Sequence, residues 1–320
     1  MTMTKPGPTF STNPVDVDTD SKQFYNQAHW LAQCSLFVYP EPEEDDAKTE
    51  VRLENMIKSW GPDWDRFEFI SNKSTQCFVA GNDYVIVVCF RGTENNRWDF
   101  LSDLVAIPSG DDGIEGRAHI GFIAALDQAW DEKGGLETDQ GLPRALARLR
   151  NKDQKVWLTG HSLGGALAEL AAARLIKEKK LSSQDIGGII TFGQPRVGNA
   201  EFASKYDRGY DLKKRHVRFV NNNDVVAGSP PRGFKIGKLK LPEFRHVGRI
   251  AFINRAEVID AYVGSVQLFF GRAGSRFKAL FMKPMGGEKS IGAIDRFLPG
   301  LNDHRMTKYE AALSKKIAAM

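Results

Sequence analysis

The chain has 320 residues, 42% of them hydrophobic and 26% charged, the make-up of an ordinary globular protein with enough chain for one large core. Forty-four Lys and Arg against 40 Asp and Glu leave a net charge of +4, too small an excess to argue for a nucleic-acid partner. Three cysteines (Cys34, Cys77 and Cys89) with no C-x-x-C pair describe neither a disulfide framework nor a zinc site.

Residues 1–20 are polar and rich in Pro, Thr and Asp, and read as a flexible lead-in to a single domain over 21–320. No apolar stretch follows the N-terminus and no run is long enough to span a bilayer. The expected location is therefore cytoplasmic or peripheral to a membrane, with secretion left open. Over residues 23–39 the apolar side chains Phe24, Ala28, Leu31, Ala32, Leu36 and Tyr39 recur at helical spacing until Pro40 and Pro42 stop them. The acidic cluster 43–46 reads as a solvated loop or the start of a helix. Residues 75–80 and 84–90 flank the turn chemistry Gly81-Asn82-Asp83, and the second is a Val- and Ile-rich run suited to a strand buried on both faces. Beyond them strands and helices alternate: strand 155–159, helix 163–179, strands 186–192 and 216–221, and a last helical pattern over 308–318. Such alternation predicts an α/β protein with a mostly parallel central sheet and helices on both faces.

The strongest local signal is Gly160-His161-Ser162-Leu163-Gly164, a G-x-S-x-G pentapeptide with a predicted strand before it and a predicted helix after it. In the α/β-hydrolase fold this context is the nucleophile elbow. The chain reverses so sharply that the serine is strained and lifted clear of the sheet, and flanking glycines avoid a collision between strand and helix. Ser162 is the candidate nucleophile. The following helix begins with unpaired N–H groups, which makes the N–H of Leu163 a natural oxyanion donor.

A serine hydroxyl needs a base, usually histidine oriented by a carboxylate, and in this fold the chain order is Ser, then Asp or Glu, then His. Asp224 follows the predicted strand 216–221, at the carboxyl end where functional groups of open α/β sheets collect. Order then excludes His216 and leaves His246 and His304 as candidate bases, without separating them.

The chain resembles the class 3 lipases, the family of fungal triacylglycerol lipases and feruloyl esterases. The segments that carry the resemblance are Phe90-Arg91-Gly92-Thr93, His119-Ile120-Gly121-Phe122, Thr159 to Ala166, Thr191-Phe192-Gly193-Gln194-Pro195-Arg196-Val197-Gly198, Asn222-Asn223-Asp224-Val225-Val226 and Asp303-His304, in the family's order. The resemblance implies Ser162, Asp224 and His304 as a catalytic triad. It also implies that Thr93 supplies the second oxyanion donor through its backbone N–H, with Arg91 and His119 in supporting roles.

After Thr93, residues 94–108 place Trp98, Leu101, Leu104 and Val105 on one helical face and Arg97, Asp99, Ser102 and Asp103 elsewhere. Similar family members carry a lid helix here. A lid of this kind covers the acyl pocket when closed and meets lipid when open; the alternative is a surface helix packed permanently down. His304 lies 80 positions after Asp224, more than the resemblance implies, and an insertion is expected at about 235–290. Within it, residues 263–285 combine Phe269, Phe270, Phe277 and Phe281 with Arg272, Arg276, Lys278 and Lys283 and no acidic residue. That stretch either docks on an anionic membrane or covers the pocket.

The expectation is a serine hydrolase that needs no metal or organic cofactor and acts on lipid esters at a lipid–water interface. Triacylglycerol is the first substrate choice, a phospholipid the second and a feruloyl-type ester the third. A non-catalytic binding protein on the same fold is the rival from another class; it would be expected to lack a triad or oxyanion residue.

Overall fold

Strands dominated by Val, Ile and Phe assemble into one twisted sheet in which the order in space follows the order in the chain. The computed structural model describes residues 8, 10, 21–93, 115–130, 135, 137, 139–151, 153–230, 235–236, 239–240, 243–260 and 302–320. Its main sheet contains β1 (Arg66–Asn72), β2 (Thr75–Gly81), β3 (Val85–Phe90), β4 (Lys155–His161), β5 (Ile186–Phe192), β6 (His216–Asn221), β7 (Arg249–Ile253) and β8 (Ile259–Asp260). Strands β1 to β3 form an antiparallel meander, β3 to β7 run parallel, and β8 turns back antiparallel. The α/β-hydrolase expectation holds, with β3 to β6 of the parallel core at the predicted strands.

The central strands β3, β5 and β6 are buried along their whole length. Both faces of the sheet are therefore covered, and the alternation of side chains divides the core in two. On one face Val79, Ile86, Val88 and Leu158 pack against α3 (Ile120–Gln128), α4 (Leu142–Leu149) and α5 (Leu163–Lys177). On the other, Phe78, Val87, Ile190, Phe192 and Phe219 pack against α1 (Lys22–Phe37), α2 (Asp46–Lys58) and α6 (Met306–Ala318). Ser21 caps α1 by accepting from the N–H of Phe24, and Asp45 caps α2 by accepting from the N–H of Lys48, so the acidic cluster begins a helix.

The parallel register aligns Phe90 with Gly160, His161 with Phe192, and Phe192 with Phe219. The loops that leave β3, β4, β5 and β6 consequently emerge side by side at one edge of the sheet. They carry Thr93, Ser162, Gly193 and Asp224.

Two boundaries differ from expectation. Part of the expected insertion belongs to the sheet: Arg249–Ile253 pairs in parallel with β6, and Phe244–Arg245 pairs with Gly198–Asn199. The run Arg-Ile-Ala-Phe-Ile covers what would otherwise be an open edge of β6. Within the lead-in, Pro8 is buried and Phe10 packs on Trp64 and Trp157, with ring centroids 6.3 and 5.4 Å apart, so these two residues are held by the core. The stretch 263–285 lies outside the described residues. No described helix is long and apolar enough to cross a membrane.

Candidate active site

Between the last residue of β4 and the first of α5 stands Ser162, with φ 59° and ψ −124°. A non-glycine residue held there stores about 1–3 kcal/mol of strain, which persists only where the surroundings impose it. Here they do. The Ser162 N–H donates to Phe192 O at 2.9 Å, and its carbonyl accepts from the N–H groups of Gly165 and Ala166 at 3.1 and 3.3 Å. The serine side chain makes no cap bond to the helix, so its hydroxyl is left for other chemistry. The N–H of Leu163, first in the helix, has no intrahelical acceptor. A Cβ on Gly164 would run into the backbone of Phe90 and Arg91, which is why the helix can start so close to β3. Gly164→Ala is expected to cost about 1–3 kcal/mol by overpacking, read as a lower urea midpoint with an unchanged slope.

Asp224 sits in the turn after β6 and is buried, as is His304. One carboxylate oxygen accepts from the N–H groups of Val226 and Ala227 at 2.8 and 3.2 Å. The other accepts from His304 Nδ1 at 2.8 Å and from the Tyr309 hydroxyl at 2.5 Å. All of the carboxylate's hydrogen-bonding directions are thus filled, and the imidazole is left with its Nε2 facing outward from the pair. Tyr309 in turn accepts from the N–H of Asn221 at 3.1 Å, and burial beside Asp224 pushes its phenol well above the usual range. Gly193, at φ 59°, lies against both: a Cβ there would come within 2.8 Å of Asp224 Oδ2 and of His304 Nδ1. Tyr309→Phe leaves the Asn221 N–H without this acceptor and is expected to cost about 1–3 kcal/mol, with the loss visible as a lower melting temperature.

Ser162 is next in the chain to a residue that packs on this pair. His161 directly precedes it, and the rings of His161 and His304 lie 4.6 Å apart. Among the described residues the Ser162 hydroxyl makes no hydrogen bond; in substrate-free sites such bonds are commonly long and tighten on binding. Thr93 follows Gly92, where an added Cβ would run into the His161 carbonyl and meet the Ser162 side chain. The histidine alternatives separate clearly. His246 precedes β7 beside the start of β6, where Gly248 abuts His216, at the opposite end of the strands from Asp224.

Supporting residues explain the remaining motifs. His119 accepts from the N–H of Gly121 and caps α3. Arg91 reaches back to Gln76 and the Ser74 carbonyl, fixing the strand that leads to Thr93. Arg196 binds the carbonyls of Gly228 and Pro230, and its N–H donates to Ser229 O at 2.6 Å, so the loop after β5 clamps the loop that carries Asp224. Tyr309 and the backbone bonds to Asp224 were invisible in sequence; the only cue was an aromatic residue in the helix after His304. Trp98, Leu101 and Leu104 lie outside the described residues. Among the described residues no group of His, Cys, Asp and Glu side chains is arranged to hold a metal ion.

Residues 87–234 match the family profile Lipase (class 3). Over that segment, a little under half of its length, the chain is similar to the class 3 lipases. A Caenorhabditis elegans lipase is 34% identical over 173 residues, 50% of this chain and 45% of the relative. The lipase of Rhizomucor miehei is 34% identical over 191 residues, 59% of this chain and 47% of the relative. Phospholipases A1 of rice and Arabidopsis thaliana are among the further relatives. The chain spans about half the length of the relatives it matches. A solved triacylglycerol lipase whose catalytic centre is a serine-protease triad superposes with a TM-score of 0.52 at 26% identity, covering 73% of this chain and 81% of that one. The matched segment includes Ser162 and Asp224, whereas His304 lies beyond it.

Proposed function

We propose that the protein is a serine carboxylic-ester hydrolase, a lipase that cleaves triacylglycerols through an acyl-enzyme on Ser162. The observation that carries this reading is the buried Asp224–His304 pair, joined at 2.8 Å beside a strained serine at the elbow.

In this reading His304 Nε2 takes the Ser162 proton as the hydroxyl oxygen attacks the ester carbonyl carbon. Asp224 keeps the proton on Nδ1 and stabilises the imidazolium. The N–H groups of Leu163 and Thr93 receive the oxyanion; losing one such donor typically costs about a hundredfold or more. The bond from carbonyl carbon to alkoxy oxygen then breaks, His304 returns its proton to the departing alcohol, and a water repeats the sequence to free the acid and Ser162.

Residues 94–108, with Trp98, Leu101 and Leu104, act as the lid that opens at a lipid–water interface, and the enzyme works there as a peripheral protein. Relatives named as lipases support triacylglycerol as substrate. Relatives named phospholipase A1, together with the basic Phe-rich stretch 263–285, support a phospholipid as the second reading. The test is hydrolysis of triglycerides from short to long acyl chains, below and above the emulsion threshold, beside phosphatidylcholine vesicles. A rate that jumps at the emulsion and persists with long chains is expected. Activity confined to dissolved short esters contradicts the lid, and a clear preference for vesicles moves the substrate to phospholipid.

A further inference from the structure

The second residue of the elbow pentapeptide is joined to the candidate base by a path that none of the roles above uses. His161 Nε2 lies 2.7 Å from the backbone carbonyl oxygen of His304. A carbonyl only accepts, so Nε2 of His161 carries a proton and donates it. The other ring nitrogen, Nδ1, is 2.9 Å from the Tyr39 hydroxyl. In the neutral imidazole that nitrogen is a bare lone pair, and the hydroxyl donates to it. The tyrosine thus selects the tautomer that lets His161 hold His304.

The path is anchored at its far end as well. Tyr39 O accepts from Arg52 Nη2 at 2.9 Å, and Arg52 is gripped by Glu44 at 2.9 and 3.0 Å. The Tyr39 hydroxyl also sits against Gly92, next to Thr93. His161 is buried, and its ring runs alongside that of His304 at an interplanar angle of 32°.

His304 needs such an anchor. It stands just before α6, at the end of a long connection from β8, and its Nε2 must meet a serine on another loop. The hydrogen bond to Asp224 fixes only the Nδ1 side of its ring. A donated bond to its own carbonyl fixes the main chain that carries the ring. Displacement of a reacting group by about 1 Å is enough to cost about a hundredfold in rate.

We infer that His161 is a positioning residue for His304, with Tyr39 fixing its tautomer. The inference rests on the hydrolase reading above.

The test uses the full chain and a dissolved ester, p-nitrophenyl butyrate, so that lid and interface play no part. Glutamine places an amide nitrogen near the position of histidine Nε2, and asparagine places one near Nδ1. His161→Asn, which cannot reach the His304 carbonyl, is expected to lower kcat about a hundredfold with little change in KM. His161→Gln, which can, is expected to recover most of that loss. Tyr39→Phe, which frees the tautomer but keeps the ring, is expected to fall between wild type and His161→Asn. Melting temperatures are measured on every variant. Equal rates for the Gln and Asn variants overturn the inference, as does a loss of kcat in Tyr39→Phe and His161→Asn that only follows melting temperature. A wild-type chain no faster than Ser162→Ala overturns the hydrolase reading itself. Wild-type activity that depends on Ser162 but is indifferent to residue 161 overturns the positioning role alone.

Discussion

Ser162→Ala is expected to lower kcat for ester hydrolysis on the order of a millionfold, the size of effect seen when a triad nucleophile is removed, while the fold survives. The expectation combines two features of the elbow. The backbone at φ 59° and ψ −124° is held by the hydrogen bond to Phe192 and by the start of α5, neither of which involves the hydroxyl. Alanine therefore takes the same conformation. The hydroxyl, by contrast, has no structural partner among the described residues, so removing it leaves no buried group unpaired. A catalytic collapse with an unchanged melting temperature separates a nucleophile from a packing residue. A variant that keeps a tenth of wild-type activity would mean that another group attacks the substrate.

Asp224→Asn is expected to lower kcat on the order of ten-thousandfold, through the wrong histidine tautomer rather than through lost binding. Oδ1 is already committed to the N–H groups of Val226 and Ala227. The amide NH2 of asparagine must therefore point at His304 Nδ1 and at the Tyr309 hydroxyl, the places that the other carboxylate oxygen serves now. A donor facing Nδ1 forces His304 to carry its proton on Nε2, where it cannot accept one from Ser162. The measurement is kcat against KM on a soluble ester: kcat falls and KM stays within about twofold, as expected for an interaction made in the transition state. A comparable rise in KM with kcat preserved would instead assign Asp224 to substrate binding.

The elbow was readable in the sequence because its physics admits few residues. Ser162 needs small neighbours at Gly160 and Gly164, and the buried strands before and after announce themselves as Val- and Ile-rich runs. The parallel core could be predicted for the same reason, and β5 and β6 fall on the expected residues. Other parts depend on partners distant in sequence. Arg249–Ile253 falls inside the expected insertion and shows itself as a sheet strand only once it is paired with β6. Chain order left His246 and His304 equivalent; the fold separates them by putting one at the start of a parallel strand and the other against Asp224. Tyr309 reads as one more core aromatic of α6, and only packing shows its hydroxyl on the carboxylate. His161 occupies the unspecified position of the pentapeptide, so no pattern marks its bond to the His304 carbonyl.

The central claim is that Ser162 is activated for attack on an acyl carbon by His304 and Asp224. Its most direct test is the intact mass of the full chain after reaction with a fluorophosphonate, followed by peptide mapping. The account predicts one adduct, on Ser162, absent from Ser162→Ala and strongly slowed in Asp224→Asn. An unmodified wild-type chain, or an adduct on a different residue, would contradict it.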